Sequence, residues 1–193
     1  MSSPVKKAAT YEDLLKVPEP LVAEILDGEL YASPRPALPH TLCASALGAL
    51  LGGAFQFGRS GPGGWWILDE PELHLAANVL VPDLAGWRRE RLPVVPDAAA
   101  MDLSPDWVGE ILSPSTERMD RAKKLAIYAR EAVGHAWLIN PIARTLEALR
   151  RHGDGWLLIA THAADAVVRV EPFEAIELDL LLLWGGSGSA SPR

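Results

Sequence analysis

The sequence predicts one domain of the α/β (α+β) class, in which a mixed central β-sheet is flanked by helices. A strand, a helix and a second strand follow one another over residues 107–140, an order typical of a parallel pair. Shorter strand patterns on both sides indicate antiparallel neighbours. The chain has 193 residues, 49% of them hydrophobic, and such a chain buries about 70% of its unfolded surface.

The N-terminal elements are a short helix, a β-hairpin and a long helix. Residues 10–16 begin with a Thr-x-x-Asp box, which is typical of a helix N-cap. The Asp27-Gly28 pair between two apolar runs predicts a tight hairpin turn, because the turn needs residues that tolerate positive φ. Residues 40–57 predict a largely buried helix, flexed near the glycines at 48 and 52–53.

The middle of the chain predicts strands over residues 65–69, 72–76 and 79–87, with an irregularity at Pro82, and a surface excursion over 90–104. A strand over 107–112 then leads into a helix that Ser115 or Thr116 caps and that ends near Ala132. The continuous apolar character of residues 135–140 predicts a central strand. Three last strands form a C-terminal meander: 145–151, 155–160 and 167–170. We expect one domain over 1–184 and a disordered Gly/Ser-rich tail over 185–193.

Charge and cysteine content restrict the function classes. The net charge of −7 argues against a protein that coats nucleic acid by bulk charge, although a local basic patch or a bound metal could still handle phosphates. The lone Cys43 cannot form a disulfide within the chain. The N-terminus lacks a targeting signal, and the apolar stretches 42–57 and 175–184 are short or interrupted by charges. We therefore expect a cytoplasmic protein without membrane association.

Three carboxylates lie within apolar runs: Glu24, Asp83 and Glu110. Each could lie on a solvated strand face. If they are buried, they need partners, because an unpaired buried charge is costly, and a divalent cation is one such partner. The apolar neighbours on both sides of Asp83 and Glu110 suit strands buried on both faces, which makes exposure harder to arrange.

The segment 114–130 is locally basic, with five basic and two acidic residues. On a helix, Asp120, Lys124 and Tyr128 share one face, because they are spaced by four. This face could be a solvated charged stripe. Alternatively, Lys124 could reach back to the end of the Glu110 strand and stabilise charge on a phosphate.

Several strings occur together in an order and spacing that resemble a known family. They include Val81-Pro82-Asp83-Leu84, the run Gly-Glu-Ile-Leu-Ser-Pro-Ser-Thr over 109–116, and Lys124 on the following helix. The sequence resembles the PD-(D/E)XK restriction-endonuclease-like superfamily, and within it the Uma family of endonucleases, over residues 11 to about 183.

The resemblance implies a metal site and a catalytic set. Asp83 and Glu110, with the backbone carbonyl of Ile111, would bind Mg²⁺ or Mn²⁺, and Lys124 and Glu24 would complete the catalytic set. The superfamily's usual lysine position holds Leu112 here, and Lys124 is the matching position in the Uma branch. The remaining near-site position is His40, a family histidine to which no role is assigned.

The implied activity is metal-dependent hydrolysis of DNA phosphodiester bonds, by a protein that we expect to form a homodimer. DNA binding should be weak and salt-dependent, through a local patch formed by Arg35, Arg88, Arg89, Arg91, Arg118, Arg121 and Lys123. A non-catalytic interaction protein that keeps the fold is the alternative. A glycosidase would also use paired carboxylates, but it has no place for Lys124.

Overall fold

The computed structural model describes residues 7–186 and is built on a six-stranded mixed sheet. Its order is β10-β9-β8-β7-β6-β3, and all neighbouring strands are antiparallel except β7 and β8. The strands are β3 (Trp65–Asp69), β6 (Leu84–Arg88), β7 (Trp107–Ile111), β8 (His135–Asn140), β9 (Thr145–His152) and β10 (Gly155–Ala163). The predicted strand–helix–strand unit is therefore the parallel centre of the sheet.

A second sheet of four strands lies beside the first, in the order β2-β1-β5-β4. Its strands are β1 (Leu21–Leu26), β2 (Glu29–Pro34), β4 (Leu73–Leu75) and β5 (Asn78–Leu80). The predicted hairpin joins β1 and β2 with Leu26 opposite Glu29, and both turn residues have positive φ, 49° at Asp27 and 77° at Gly28. This is the geometry that a two-residue turn requires.

The strand predicted over residues 79–87 is wrong as one element. The structure divides it into β5 and β6, which belong to different sheets, and the tripeptide Val81–Asp83 crosses between them. Pro82 lacks the N–H that a ladder needs, so the break falls at this residue. The last strand of the meander also differs: β11 (Val167–Val168) pairs with β12 (Leu178–Asp179) and does not join the main sheet.

Helices pack on both faces of the main sheet, and the first short helix packs against β1 of the second sheet. They are α1 (Tyr11–Leu14), α2 (Leu38–Leu51) with a π-helical turn (Gly52–Gln56), α3 (Glu117–Met119), a second π-helical turn (Asp120–Lys124), α4 (Leu125–Arg130) and a 3₁₀ helix (Leu180–Trp184). The first π-turn starts at the glycine pair where a flexure is predicted. The predicted tail lies outside the described residues from 187 onward.

Alternation along β7 assigns its side chains to two cores. Trp107 and Ile111 face the core beneath α2, whereas Val108 and Leu112 face the core beneath α4. Glu110 alternates with Val108 and Leu112, so its carboxylate is directed to the α4 side. One helix, Leu38–Gln56, is long and apolar enough to cross a membrane by length and composition, a test that core helices of soluble proteins also pass. Five of its side chains are buried in the main core: Cys43, Leu47, Leu51, Ala54 and Phe55.

Candidate active site

Glu110 is buried at the C-terminal end of β7, and two side chains from the helix above bind its carboxylate. The hydroxyl of Tyr128 donates to Oε1 at 2.6 Å. The ammonium of Lys124 lies 2.9 Å from Oε1 and 3.0 Å from Oε2. Glu110 is 2% exposed and Lys124 is 3% exposed, so the pair lies in the interior. The solvated-stripe interpretation of this helix face is therefore wrong for Lys124.

Lys124 is placed by the π-helical turn. In this turn the N–H of Leu125 donates to the carbonyl of Asp120, which widens the helix by one residue. Asp120, Lys124 and Tyr128 share one face, as their spacing predicts, and the structure shows all three side chains buried. The ammonium also lies 3.8 Å from Asp120 Oδ1. Such π-turns are frequent at functional sites.

Glu24 approaches the same ammonium from the second sheet. Its Oε1 lies 3.1 Å from Lys124 Nζ and accepts the N–H of Val81 at 2.8 Å. Lys124 donates in turn to the carbonyl of Val81 at 3.2 Å. The crossing segment between the two sheets is therefore bonded to the site through its backbone.

Asp83 belongs to the same segment and is fixed on both oxygens. The ring Nε2 of His40 lies 3.1 Å from Oδ1, and the backbone N–H of Ile111 donates to Oδ2 at 2.6 Å. Because Leu84 pairs with Gly109, the continued register places Asp83 opposite Glu110. His40 lies near the N-terminus of α2 and is 8% exposed, and its Nδ1 is buried without a hydrogen-bond partner.

Burial perturbs the pKa values of the cluster most, and the neighbouring charges add to or oppose its effect. Burial raises the pKa of Glu110 well above its ordinary value, although Lys124 opposes the shift. Burial also raises the pKa of Asp120 to about 6, again against the attraction of Lys124. Burial alone would lower the pKa of Lys124, but the carboxylates of Glu110 and Glu24 raise it well above its ordinary value. Lys124 is therefore charged at neutral pH.

These groups lie at the base of a cleft of about 340 Å³ that opens to solvent. One wall is formed by the end of β2 and the start of α2, which contribute Arg35 and His40. Residues 113–116, which follow β7, and Met119 also line the cleft. The floor carries Glu24, Asp83, Glu110, Asp120 and Lys124.

The structure thus brings together the side chains of the implied catalytic set and the near-site histidine: Glu24, His40, Asp83, Glu110 and Lys124. Tyr128 and Asp120 join them. The sequence placed both on the face of Lys124 without assigning them a role, and the spacing of four was the available signal.

The basic residues expected to form one patch do not converge. Arg35 lines the cleft, whereas Arg88, Arg89 and Arg91 lie at the far end of β6 from Asp83. Arg88 lies over the ring of Trp65, 4.5 Å from its centroid. Two others on the α3–α4 helix are neutralised by carboxylates: Arg121 binds Glu117 and Glu147, and Lys123 binds Glu29.

Comparison with known proteins agrees with this architecture. A crystal structure of a "putative nuclease belonging to DUF820" from Anabaena variabilis ATCC 29413 matches with a TM-score of 0.72 and 23% identity, over 92% of this chain and 98% of the other. At that identity the likeness shows the fold alone. No protein with a curated description matches the sequence. The model of the Uma2 family, described as "Putative restriction endonuclease", matches residues 8–181. The chain, with its nuclease-like fold, therefore belongs to the Uma2 family.

Proposed function

We propose that the protein is a metal-dependent DNA endonuclease that hydrolyses phosphodiester bonds in the cleft. The observation that carries this proposal is the buried ammonium of Lys124 between Glu110 and Glu24, at the base of an open cleft that also holds Asp83. Burying several charges is costly. Perturbed ionisable groups that line a cleft are characteristic of catalytic centres.

The donor atoms at the floor suit a hard divalent cation. Mg²⁺ is typically held by one or two carboxylates together with water and substrate phosphate, and Asp83 and Glu110 supply two. Within residues 7–186, no group of three or more His, Cys, Asp or Glu side chains has the geometry of a metal site. The fit therefore rests on the two carboxylates, with the Ile111 carbonyl as a proposed third ligand and Mg²⁺ or Mn²⁺ as the ion. When bound, the ion would lower the pKa of a water and neutralise phosphate charge.

The chain's own residues have distinct roles in this proposal. Lys124 remains protonated, so its positive charge stabilises the negative charge that develops on the phosphate. Tyr128 and Lys124 orient Glu110 by binding its oxygens. His40 and the Ile111 N–H orient Asp83 in the same way. Glu24 positions Lys124 and could hold a second ion or a bridging water.

A non-catalytic interaction protein is the competing proposal. Both oxygens of Asp83 and both oxygens of Glu110 already accept hydrogen bonds or ion pairs from the chain itself. Such a network could serve stability alone, since it is satisfied without a ligand.

Cleavage assays separate the two proposals. Plasmid and single-stranded DNA are incubated with Mg²⁺ or Mn²⁺ and the wild type, Lys124→Ala or Lys123→Ala. The neighbouring Lys123 is the matched control, because it pairs with Glu29 outside the cleft. Cleavage by the wild type and by Lys123→Ala, but not by Lys124→Ala, supports the endonuclease. No cleavage of any substrate by the wild type favours the interaction protein.

Calorimetry tests the metal site independently of cleavage. Mn²⁺ is titrated into the wild type and into Asp83→Ala, and we expect the variant to lose binding. Unchanged binding would contradict the assignment of Asp83 as a ligand. Weak salt-dependent DNA binding, a homodimer and a cytoplasmic location remain predictions, and light scattering after size exclusion tests the dimer.

A further inference from the structure

The cleft is acidic, and its basic side chains differ in exposure and in their contacts with carboxylates. In the described part of the chain, five carboxylates and three basic residues line it: Glu24, Glu70, Asp83, Glu110 and Asp120, with Arg35, His40 and Lys124. Lys124 and His40 are buried and already bound to carboxylates. Arg35 differs from both, because 60% of its side chain is exposed.

The contacts of Arg35 are long. Its Nη1 lies 3.8 Å from Oε2 of Glu70, and its Nη2 donates to the carbonyl of Glu19 at 3.5 Å. A guanidinium has five N–H donors, and a separation of 3.8 Å exceeds the length of a hydrogen bond. Arg35 therefore keeps donors that a ligand in the cleft can use.

Glu70 is bonded to the crossing segment Val81–Asp83. Its N–H donates to the carbonyl of Asp83 at 3.1 Å, and its φ of 44° is in the left-handed region. Its carboxylate, which also lines the cleft, attracts Arg35 toward the cleft mouth. The pair therefore places an available guanidinium beside the candidate active site.

A phosphodiester that enters this cleft carries one negative charge and meets five carboxylates. Besides the proposed metal ion, a cation that can still donate hydrogen bonds would offset the Coulomb repulsion. Arginine is well suited to this task, because its planar fork matches two phosphate oxygens. Among the basic residues within 7–186 that line the cleft, Arg35 alone is exposed and bound only through long contacts.

We propose that Arg35 binds the substrate phosphate at the mouth of the cleft, and that Glu70 holds the guanidinium there and competes with the phosphate for it. This inference rests on the proposed nuclease function, and it identifies the residue that recognises the nucleic-acid backbone.

Binding of a fluorescein-labelled single-stranded oligonucleotide, measured by anisotropy in EDTA, tests this inference without cleavage. We expect Arg35→Gln to weaken binding about tenfold, since a hydrogen bond to a charged group is lost. A plot of the logarithm of the association constant against the logarithm of the salt concentration has a negative slope. Loss of one phosphate contact should make that slope less negative by about 0.7. Arg35→Lys should retain part of the affinity, because it keeps the charge but not the fork.

Glu70→Gln tests whether Glu70 and the phosphate compete for the Arg35 guanidinium. It should strengthen binding, and the gain should be larger by about threefold or more when Arg35 is present than in the Arg35→Gln background. An equal gain in affinity in both backgrounds would mean that Glu70 only repels the phosphate. This result would overturn the proposal that Glu70 competes with the phosphate for Arg35.

Arg169 and Glu177 supply matched controls outside the cleft. They form an exposed pair at 3.5 Å, and Arg169 also donates to a backbone carbonyl, that of Glu174, at 3.0 Å. Arg169→Gln and Glu177→Gln should leave binding unchanged.

If Arg35→Gln weakens binding no more than Arg169→Gln, the inference fails even when the wild type cleaves DNA. If binding depends on Arg35 but no cleavage occurs, the proposed function fails and the phosphate contact stands.

Discussion

Replacing Lys124 by methionine should destabilise the fold in a pH-dependent manner. Methionine keeps an unbranched chain of similar length but removes the ammonium that lies 2.9 Å from Glu110 and 3.1 Å from Glu24. Removing one partner of a buried ion pair costs about 3–5 kcal/mol, because the other charge is left uncompensated. This loss is a large part of the stability of a typical domain, about 5–15 kcal/mol.

The pH dependence follows from the carboxylates that remain. Without the ammonium, the pKa of Glu110 in the folded variant rises further above its unfolded value. The folded variant then binds more protons than the unfolded chain, so its stability falls as pH rises through that pKa. The difference in unfolding free energy between wild type and Lys124→Met should therefore be larger at pH 8 than at pH 5.

Urea denaturation at both pH values, followed by tryptophan fluorescence, measures this difference. Adding Glu110→Gln to Lys124→Met should recover part of the stability at pH 8, since it removes the uncompensated charge. Lys123→Met, which removes the neighbouring exposed charge, should show a smaller and less pH-dependent loss. Equal losses at pH 5 and pH 8 for Lys124→Met would refute the interpretation of Lys124 as the neutralising group of the cluster.

Three further substitutions test the fold around the site by urea denaturation. Asn78→Ala should cost about 1–3 kcal/mol, because the buried amide accepts the Asp27 N–H at 2.8 Å and the turn loses this partner; a neutral result would contradict this role. Gly109→Ala should cost about 1–3 kcal/mol, because a Cβ would lie 2.9 Å from the buried ring of Trp107; unchanged stability would show that the ring can move. Arg121→Gln should cost at most about 1 kcal/mol at pH 7, because water screens its ion pair with Glu147. Arg121 lowers the pKa of Glu147, so this cost should vanish as pH falls through the lowered pKa, and a cost that persists at low pH would contradict the pairing.

Local patterns in the sequence predicted most elements of this fold. The hairpin at Asp27-Gly28 and the flexure at residues 52–53 follow from residue types within a few positions, so they could be predicted. The division of residues 79–87 could not, because it depends on pairing with strands from two sheets. Pro82 signalled an irregularity, but a missing N–H does not reveal which partner each half selects.

The site was predictable to a similar degree. Spacing placed Asp120, Lys124 and Tyr128 on one helix face, and the family resemblance supplied Asp83 and Glu110 as a pair. The residues on both sides of Glu110 are apolar, so the sequence did not show toward which face of the sheet its side chain points. Alternation of polar and apolar residues identifies the two faces only when one of them is solvated. The bond between His40 and Asp83 joins residues 43 positions apart, and no local pattern encodes such a contact.

The crossing segment Val81–Asp83 has a consequence for folding order. Its contacts with the site span long stretches of chain: Val81 bonds to Glu24 across 57 positions and accepts from Lys124 across 43. Closing such loops costs chain entropy before the contacts repay it, and non-local contacts form slowly. The cluster should therefore be completed after the hairpin and the helices. In refolding experiments, the proposed DNA cleavage should return later than the far-ultraviolet circular dichroism signal.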